Sequence, residues 1–161
     1  MKEIQLTQGK VALVDDADFE WLIQWNWCAK LEHGDFYVVR NGPRPMHGRI
    51  AMHREITNAQ KGMVVDHING NTLDNQRFNL RVCTQGENTR NRAMSKNNTT
   101  GFKGVIWVRE RNKYAAQITV NRKCKRIGYF NDPVEAAKAY DDAAKKYHGE
   151  FANINFPTAT Q

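Results

Sequence analysis

Asp66, His67, Asn79 and Asn88 bring together the side-chain types that phosphodiester hydrolysis calls for. That reaction needs a base for the attacking water, a divalent ion to hold phosphate oxygens, and stabilisation of the departing 3′ oxygen. Carboxylate and amide oxygens are hard ligands suited to Mg²⁺. A neutral imidazole titrates near neutrality and can take a proton from water. Asp66 and His67 are neighbours, so a regular strand sends their side chains to opposite faces. For both to serve one centre the strand must end or distort at His67, and the Asn69-Gly70 turn supplies the place. Asn88 could supply a second metal ligand from a helix start. Residue types and spacing leave a second reading open, in which these are turn-forming polar residues around a satisfied surface histidine. His53, in Met52-His53-Arg54-Glu55, is a weaker candidate that either packs on a helix or orients the centre. His33, His47 and His148 have no ligand types clustered around them. There is no zinc-finger Cys/His spacing and no phosphate-cradling glycine loop.

The elements that must position these residues can be read from turn and capping signals. Met63–Ile68 predicts a strand, followed by the Asn69-Gly70-Asn71 turn, a polar loop through Asp74-Asn75, and a second strand over Asn79–Cys83. Thr84-Gln85-Gly86-Glu87 is a capping box that predicts a helix through Asn88 to about Met94. Upstream, Val11–Val14 and Phe36–Val39 read as strands, Asp16–Leu22 as a capped helical turn, and Met52–Ala59 as a short helix ended by Gly62. Trp21, Trp25 and Trp27 are spaced like core or sheet aromatics. Ser95–Gly101 is the best linker candidate.

Beyond the linker, Gly104–Arg109, Lys113–Val120 and Lys125–Phe130 predict three strands. In the middle one Tyr114, Ala116 and Ile118 alternate with Ala115, Gln117 and Thr119, the period of a sheet covered on one face. Asp132 as N-cap, Pro133 at N1, Glu135 at N3 and Gly149 as stop bound a covering helix. Its expected apolar face is Ala136, Tyr140, Ala143 and Tyr147. The other sheet face is left open to a partner.

Composition narrows the partner. The 161 residues suit one ordinary domain or two small ones, and 40% apolar residues are enough for packed cores. No apolar run can cross a bilayer and the start lacks a secretion signal, so a cytoplasmic location is expected. Three separated cysteines, Cys28, Cys83 and Cys124, argue against a disulfide framework. Residues 1–80 carry nine Lys/Arg against ten Asp/Glu, and residues 81–161 carry fifteen against seven, so the net +7 lies entirely in the second half. Such a surface attracts polyanions. Charge alone serves solubility equally well.

Asp66-His67-Ile68-Asn69-Gly70-Asn71, with Asp74-Asn75, Asn79-Leu80-Arg81 and Asn88, resembles the signature of the HNH (ββα-metal) nucleases, closest to phage homing endonucleases of the intron-encoded kind. Leu13-Val14-Asp15-Asp16 and Met52-His53-Arg54 extend the likeness over residues 9–94. The resemblance implies that Asp66 and Asn88 bind one divalent ion, Mg²⁺ with Mn²⁺ as a substitute, that His67 is the general base, and that Asn79 orients its imidazole. Residues 99–157 resemble an AP2/ERF-type DNA-binding domain through Gly101-Phe102-Lys103-Gly104-Val105, Tyr114-Ala115-Ala116-Gln117-Ile118, Ile127-Gly128-Tyr129-Phe130, Glu135–Asp141 and Asn153-Ile154-Asn155-Phe156-Pro157. By that resemblance the open sheet face reads the DNA major groove, with Lys103, Arg109, Gln117, Thr119 and Arg126 facing the duplex. Plant members carry more arginine and tryptophan there, where this chain has Ile106, Thr119 and Cys124.

The expected fold class is therefore α+β: an HNH module within residues 1–94, its ββα core about 63–94, a linker at 95–100, and a three-stranded antiparallel sheet packed on one helix over 101–157. The expected function is that of a metal-dependent endonuclease of homing type on double-stranded DNA, acting as a monomer that nicks. The alternative is a sequence-specific DNA-binding protein with a decayed nuclease domain. A third reading, an RNA-binding structural protein, lacks the aromatic sheet signatures of the common RNA-binding module.

Overall fold

The structure, a computed structural model, describes residues 1–43, 48–91, 94–95 and 97–157. They form two compact units, Met1–Asn88 and Thr89–Gln161. In the first, β1 (Lys2–Gln5) and β2 (Val11–Val14) pair antiparallel, and α1 (Asp16–Leu22) follows directly. β3 (Cys28–Glu32), β4 (Asp35–Asn41) and β5 (Arg49–Ala51) form an antiparallel sheet in that order. Next come α2 (Met52–Thr57), the hairpin of β6 (Val64–His67) and β7 (Leu80–Cys83), and α3 (Gln85–Arg90).

Ile4, Val14, Leu22, Trp27, Val38, Met52, Ile56 and Leu80 build one core, drawn from β1, β2, α1, β4, α2, β7 and the turn before β3. α2 ends at Asn58, not Gly62: Asn58 adopts a left-handed conformation (φ 48°) and donates its amide back to the carbonyls of Arg54 and Glu55. Asparagine tolerates that region because its short polar side chain bonds locally. Of the three tryptophans expected inside, Trp27 is buried, with Nε1 donating to the Leu22 carbonyl at 2.9 Å. Trp25 is 44% exposed and lies under the Arg40 guanidinium, 4.2 Å from the ring centre. The capping box of α3 forms as read: Thr84 Oγ1 accepts from the Glu87 amide at 3.3 Å, and Glu87 Oε2 accepts from the Thr84 amide at 2.8 Å. The expected extension toward Met94 crosses residues 92–93, which lie outside the described residues, as does His47.

In the second unit, β8 (Val105–Val108), β9 (Lys113–Val120) and β10 (Lys123–Phe130) form an antiparallel sheet in the order β10-β9-β8. α4 (Pro133–His148) covers one face. Asp132 caps it by accepting from the Val134 amide at 3.1 Å, and Gly149 ends it with φ 56°. The expected apolar stripe is shifted. Ala136, Ala137, Tyr140, Asp141, Ala144 and His148 are the buried positions, whereas Tyr147 is exposed. Asp141 can be buried because it accepts from the amides of Asn155 and Phe156 and from Asn155 Nδ2, at 2.8–2.9 Å. His148 Nε2 sits 3.0 Å from the Thr119 carbonyl. Gly104 brings the backbone against this helix: at φ +76° an added Cβ would lie 2.0 Å from the Tyr140 ring.

The segment before the sheet packs within this unit. Asn98 Oδ1 accepts from the amides of Thr100 and Gly101, and Asn153 Nδ2 donates to the Asn91 carbonyl.

Candidate functional site

The β6–β7 hairpin is regular up to its last pair, with Asp66 opposite Arg81 and His67 opposite Leu80. The strand ends at His67, as the turn requires, but it does not distort. The carboxylate and the imidazole therefore leave opposite faces. Asp66 faces Arg81, whose Nε and Nη2 both donate to Oδ2 at 2.9 and 2.6 Å in a nearly buried ion pair. His67 faces the interior, where its ring lies 5.2 Å from that of His53 on α2 and 6.5 Å from that of Tyr37 on β4. Both histidine contacts are edge-to-face. Burial holds the His67 pKa below the ordinary histidine value, opposed by Asn75 and by the charges of Asp66 and Asp74. Burial, with the nearby His67 second, holds that of His53 at about 4. Both rings are therefore neutral at neutral pH, the state in which an imidazole can accept a proton.

The loop between the strands is pinned at almost every residue. Asn79 Oδ1 accepts from the Asn69 amide at 2.9 Å, and Nδ2 donates to the Asp74 carbonyl at 2.8 Å. Asp74 Oδ2 accepts from Asn69 Nδ2 at 2.9 Å. Asn75 donates its amide to the Leu13 carbonyl, which ties the loop to β2. Asp15 accepts from the Arg77 amide at 2.7 Å, and Asp18 takes the Arg77 guanidinium at 2.7 and 2.8 Å. Arg54 braces the entry to β6 by donating to the carbonyls of Met63, Ala59 and Gln60.

Asn79 thus shapes the loop, each end of its carboxamide bonding loop backbone. Asn75, which stands in the HNH-like stretch, raises the His67 pKa against the effect of burial, and its own fully buried Oδ1 meets no hydrogen-bond donor. His53 was legible as a possible orienting group, and it is brought to the His67 ring.

Asn88 lies on the first turn of α3, half-buried, its amide donating to the Thr84 carbonyl at 3.0 Å. Its side chain makes no hydrogen bond among the described residues, so its amide oxygen is available as a ligand. Among the described residues no three His, Cys, Asp or Glu side chains cluster as a metal site. A donor set of one carboxylate and one amide oxygen fits a hard ion that completes its shell with water and phosphate. Arg81 already shares Oδ2 of Asp66, so a bound ion must share or displace that pair.

In the second unit Val105, Ala116 and Ile118 meet α4, so alternation turns Ile106, Ala115, Gln117 and Thr119 to the uncovered face. Their partners on β10 are Cys124 opposite Thr119, Arg126 opposite Gln117, and Tyr129 opposite Ala115. Gln117, Thr119 and Arg126 therefore share this face, and Arg109 is exposed in the turn after β8. Tyr129 was missed: the guanidinium groups of Arg111 and Arg126 lie 4.6 and 5.3 Å from the centre of its ring. Lys103 is placed differently from expectation. It precedes β8, half-buried, with Nζ donating to the Arg90 carbonyl at 3.1 Å, and burial draws its pKa down to about 8.

A hairpin bearing Asp-His with a capped helix behind it, together with a separate basic sheet-and-helix module, defines a nuclease of the ββα type joined to an AP2-like module. Comparison with known proteins gives the family. The HNH endonuclease family profile matches residues 49–90. "Protein 3.8" of Escherichia phage T7 is 34% identical over 126 residues, covering 78% of this chain and 91% of that protein. "Uncharacterized HNH endonuclease L560" of Acanthamoeba polyphaga mimivirus is 34% identical over 114 residues, 67% of this chain and 58% of that protein. "Dehydration-responsive element-binding protein 2A" of Arabidopsis thaliana is 39% identical over 67 residues, 38% of this chain and 19% of that protein. The chain belongs to the HNH endonuclease family and carries an AP2/ERF-like module. Nucleases of this family use a divalent metal ion. No helix among the described residues is long and apolar enough to cross a membrane.

Proposed function

We propose that this protein is a homing-type endonuclease that hydrolyses one phosphodiester bond of duplex DNA per engagement, as a monomer, with Mg²⁺ as its ion. The observation that carries this reading is a hairpin strand that ends on Asp66 and a neutral His67, one on each face, with the amide of Asn88 offered by the helix that follows. His67 takes the proton of the attacking water. Asp66 and Asn88 would hold the ion, which would supply positive charge for the phosphate oxygens and the departing 3′ oxygen. Asp15, Asp18 and Asn79 keep the loop from collapsing onto the base. The uncovered sheet face, with Arg126, Arg111, Gln117, Thr119 and Arg109, holds the duplex. Similarity to a phage protein is in keeping with action in the cytoplasm of an infected bacterium.

The test is cleavage of supercoiled plasmid with Mg²⁺. Open circles as the main product support one cut per engagement, whereas linear product from the outset means paired cuts. Chelation should abolish either. Binding without any cleavage would turn the assignment to a DNA-binding protein with a decayed nuclease.

A further inference from the structure

We infer that Ile106 is a specificity-determining residue of the uncovered sheet face and selects thymine by its methyl group in the DNA major groove. The inference rests on the reading of this face as the one that holds the duplex, and adds what the face selects. Strand register arranges the side chains of this face in rows. Ile106 of β8 pairs with Ala115 of β9, and Ala115 pairs with Tyr129 of β10. Ala115 is wholly buried, whereas Ile106 is 37% and Tyr129 40% exposed. The outer surface of this row is therefore made by one aliphatic and one aromatic side chain.

Polar rows bound it on either side. Two residues along β9, Gln117 stands opposite Arg126; two residues the other way is the exposed Lys113. Alternate residues of a strand are about 7 Å apart on one face, so the three rows fit within one DNA site. The guanidinium groups of Arg111 and Arg126 lie against the Tyr129 ring. Cations thus face the aromatic end of the apolar row, and Ile106 is its aliphatic end.

Two apolar side chains rimmed by cations make too small a patch for a protein partner, whose interfaces take about 20–30 residues a side. The rim suits a polyanion, in a half of the chain that carries fifteen Lys/Arg against seven Asp/Glu. In the major groove the base-pair edges are lined with donors and acceptors, and thymine adds a 5-methyl group. An isoleucine pressed on polar edges would strip them of water without replacing their hydrogen bonds. Against a methyl group it takes apolar surface of both partners out of water. Arg126 and Gln117 in the next row bear the groups that bond guanine and adenine edges. Ile106 supplies the contact that hydrogen bonding cannot.

The experiment uses the full-length protein without divalent ion, so that DNA is bound and not cut. A randomised duplex pool yields the tightest-binding sequence. That duplex is then remade with deoxyuridine in place of each thymidine in turn, which removes only the methyl group. At the contacted positions the wild type should lose about fourfold in affinity per methyl removed. The ratio should persist as salt is raised, because the contact releases no counterions. Ile106→Ala should bind the thymine and deoxyuridine duplexes alike, and Ile106→Val should keep part of the discrimination. A selected sequence without thymine overturns the inference, as does equal wild-type affinity for every deoxyuridine duplex; neither result needs a variant to fold. A folded Ile106→Ala that discriminates like the wild type overturns it as well. Arg126→Ala on the same duplex separates the inference from the reading beneath it. If its affinity falls while the wild type shows no methyl discrimination, the inference fails alone. If its affinity is unchanged, this face does not hold the duplex and both fail.

Discussion

The β6–β7 hairpin and the β8–β10 sheet both present the polar groups on which function is proposed to rest, but they hold them in opposite ways. In the hairpin Asp66, His67, Asn75 and Asn79 are buried, and the loop that carries them is fastened by carboxylates, amides and an arginine. On the uncovered sheet face Thr119 and Arg126 are exposed, and cations lie on the Tyr129 ring without any buried ion pair. Chemistry on one reacting atom needs side chains fixed to a fraction of an ångström. Gripping a polyanion needs cations that remain hydrated and adaptable until counterions leave. Burial belongs with the first task and exposure with the second.

The largest expected effect separates the two regions. His67→Ala should lower single-turnover cleavage by about 10²- to 10⁴-fold, the usual contribution of a general base, and leave DNA affinity unchanged. Equal loss of affinity would make the hairpin part of the grip. Next is Gly104→Ala, where a Cβ would enter the Tyr140 ring from a left-handed backbone. We expect the second unit to lose roughly 2–4 kcal/mol, read as a lower urea midpoint for the sheet. A neutral substitution would show that the helix can move off the strand.

Arg126→Ala should weaken DNA binding and flatten its salt dependence by about one unit of slope. Lys103→Ala should change that slope far less, because its ammonium is spent on the Arg90 carbonyl. The reverse order would place Lys103 on the duplex and Arg126 off it.

The smallest expected effect is on acid stability of the first unit. His53 has a folded pKa of about 4 and His67 one below its ordinary value, while the unfolded chain titrates near 6.5. The unfolded chain therefore binds more protons as pH falls below about 6.5, and stability is lost until the folded value is reached. His53 alone should account for about 2–3 kcal/mol of loss between pH 7 and about 4. His53→Phe should remove that share, seen as a smaller drop in urea midpoint between the two pH values.

What could be read from the chain divides along the same physical line. The Thr84–Glu87 box and the Asp132–Gly149 helix rest on contacts within a few residues, so their signals are local. β1, β3 and β5 are only three to five residues long, too short to leave a periodic mark. The stripe on α4 was read one position off because apolar spacing cannot foresee a buried Asp141 or His148, each satisfied by backbone from elsewhere. Asn75 and Asn79 are indistinguishable as residues. Only the folded loop shows that Asn79 bonds backbone through both ends of its carboxamide while Asn75 Oδ1 is buried without a donor. Lys103 looked like a free cation because its partner, a carbonyl, has no sequence signature.

The division of labour between hairpin and sheet is tested most directly by measuring, side by side, the DNA dissociation constant and the single-turnover cleavage rate at saturating DNA for wild type, His67→Ala and Arg126→Ala. The account predicts that His67→Ala loses rate and keeps affinity, while Arg126→Ala loses affinity and keeps rate. If His67→Ala cleaves saturating DNA at the wild-type rate, or if Arg126→Ala loses rate with affinity intact, the account is contradicted.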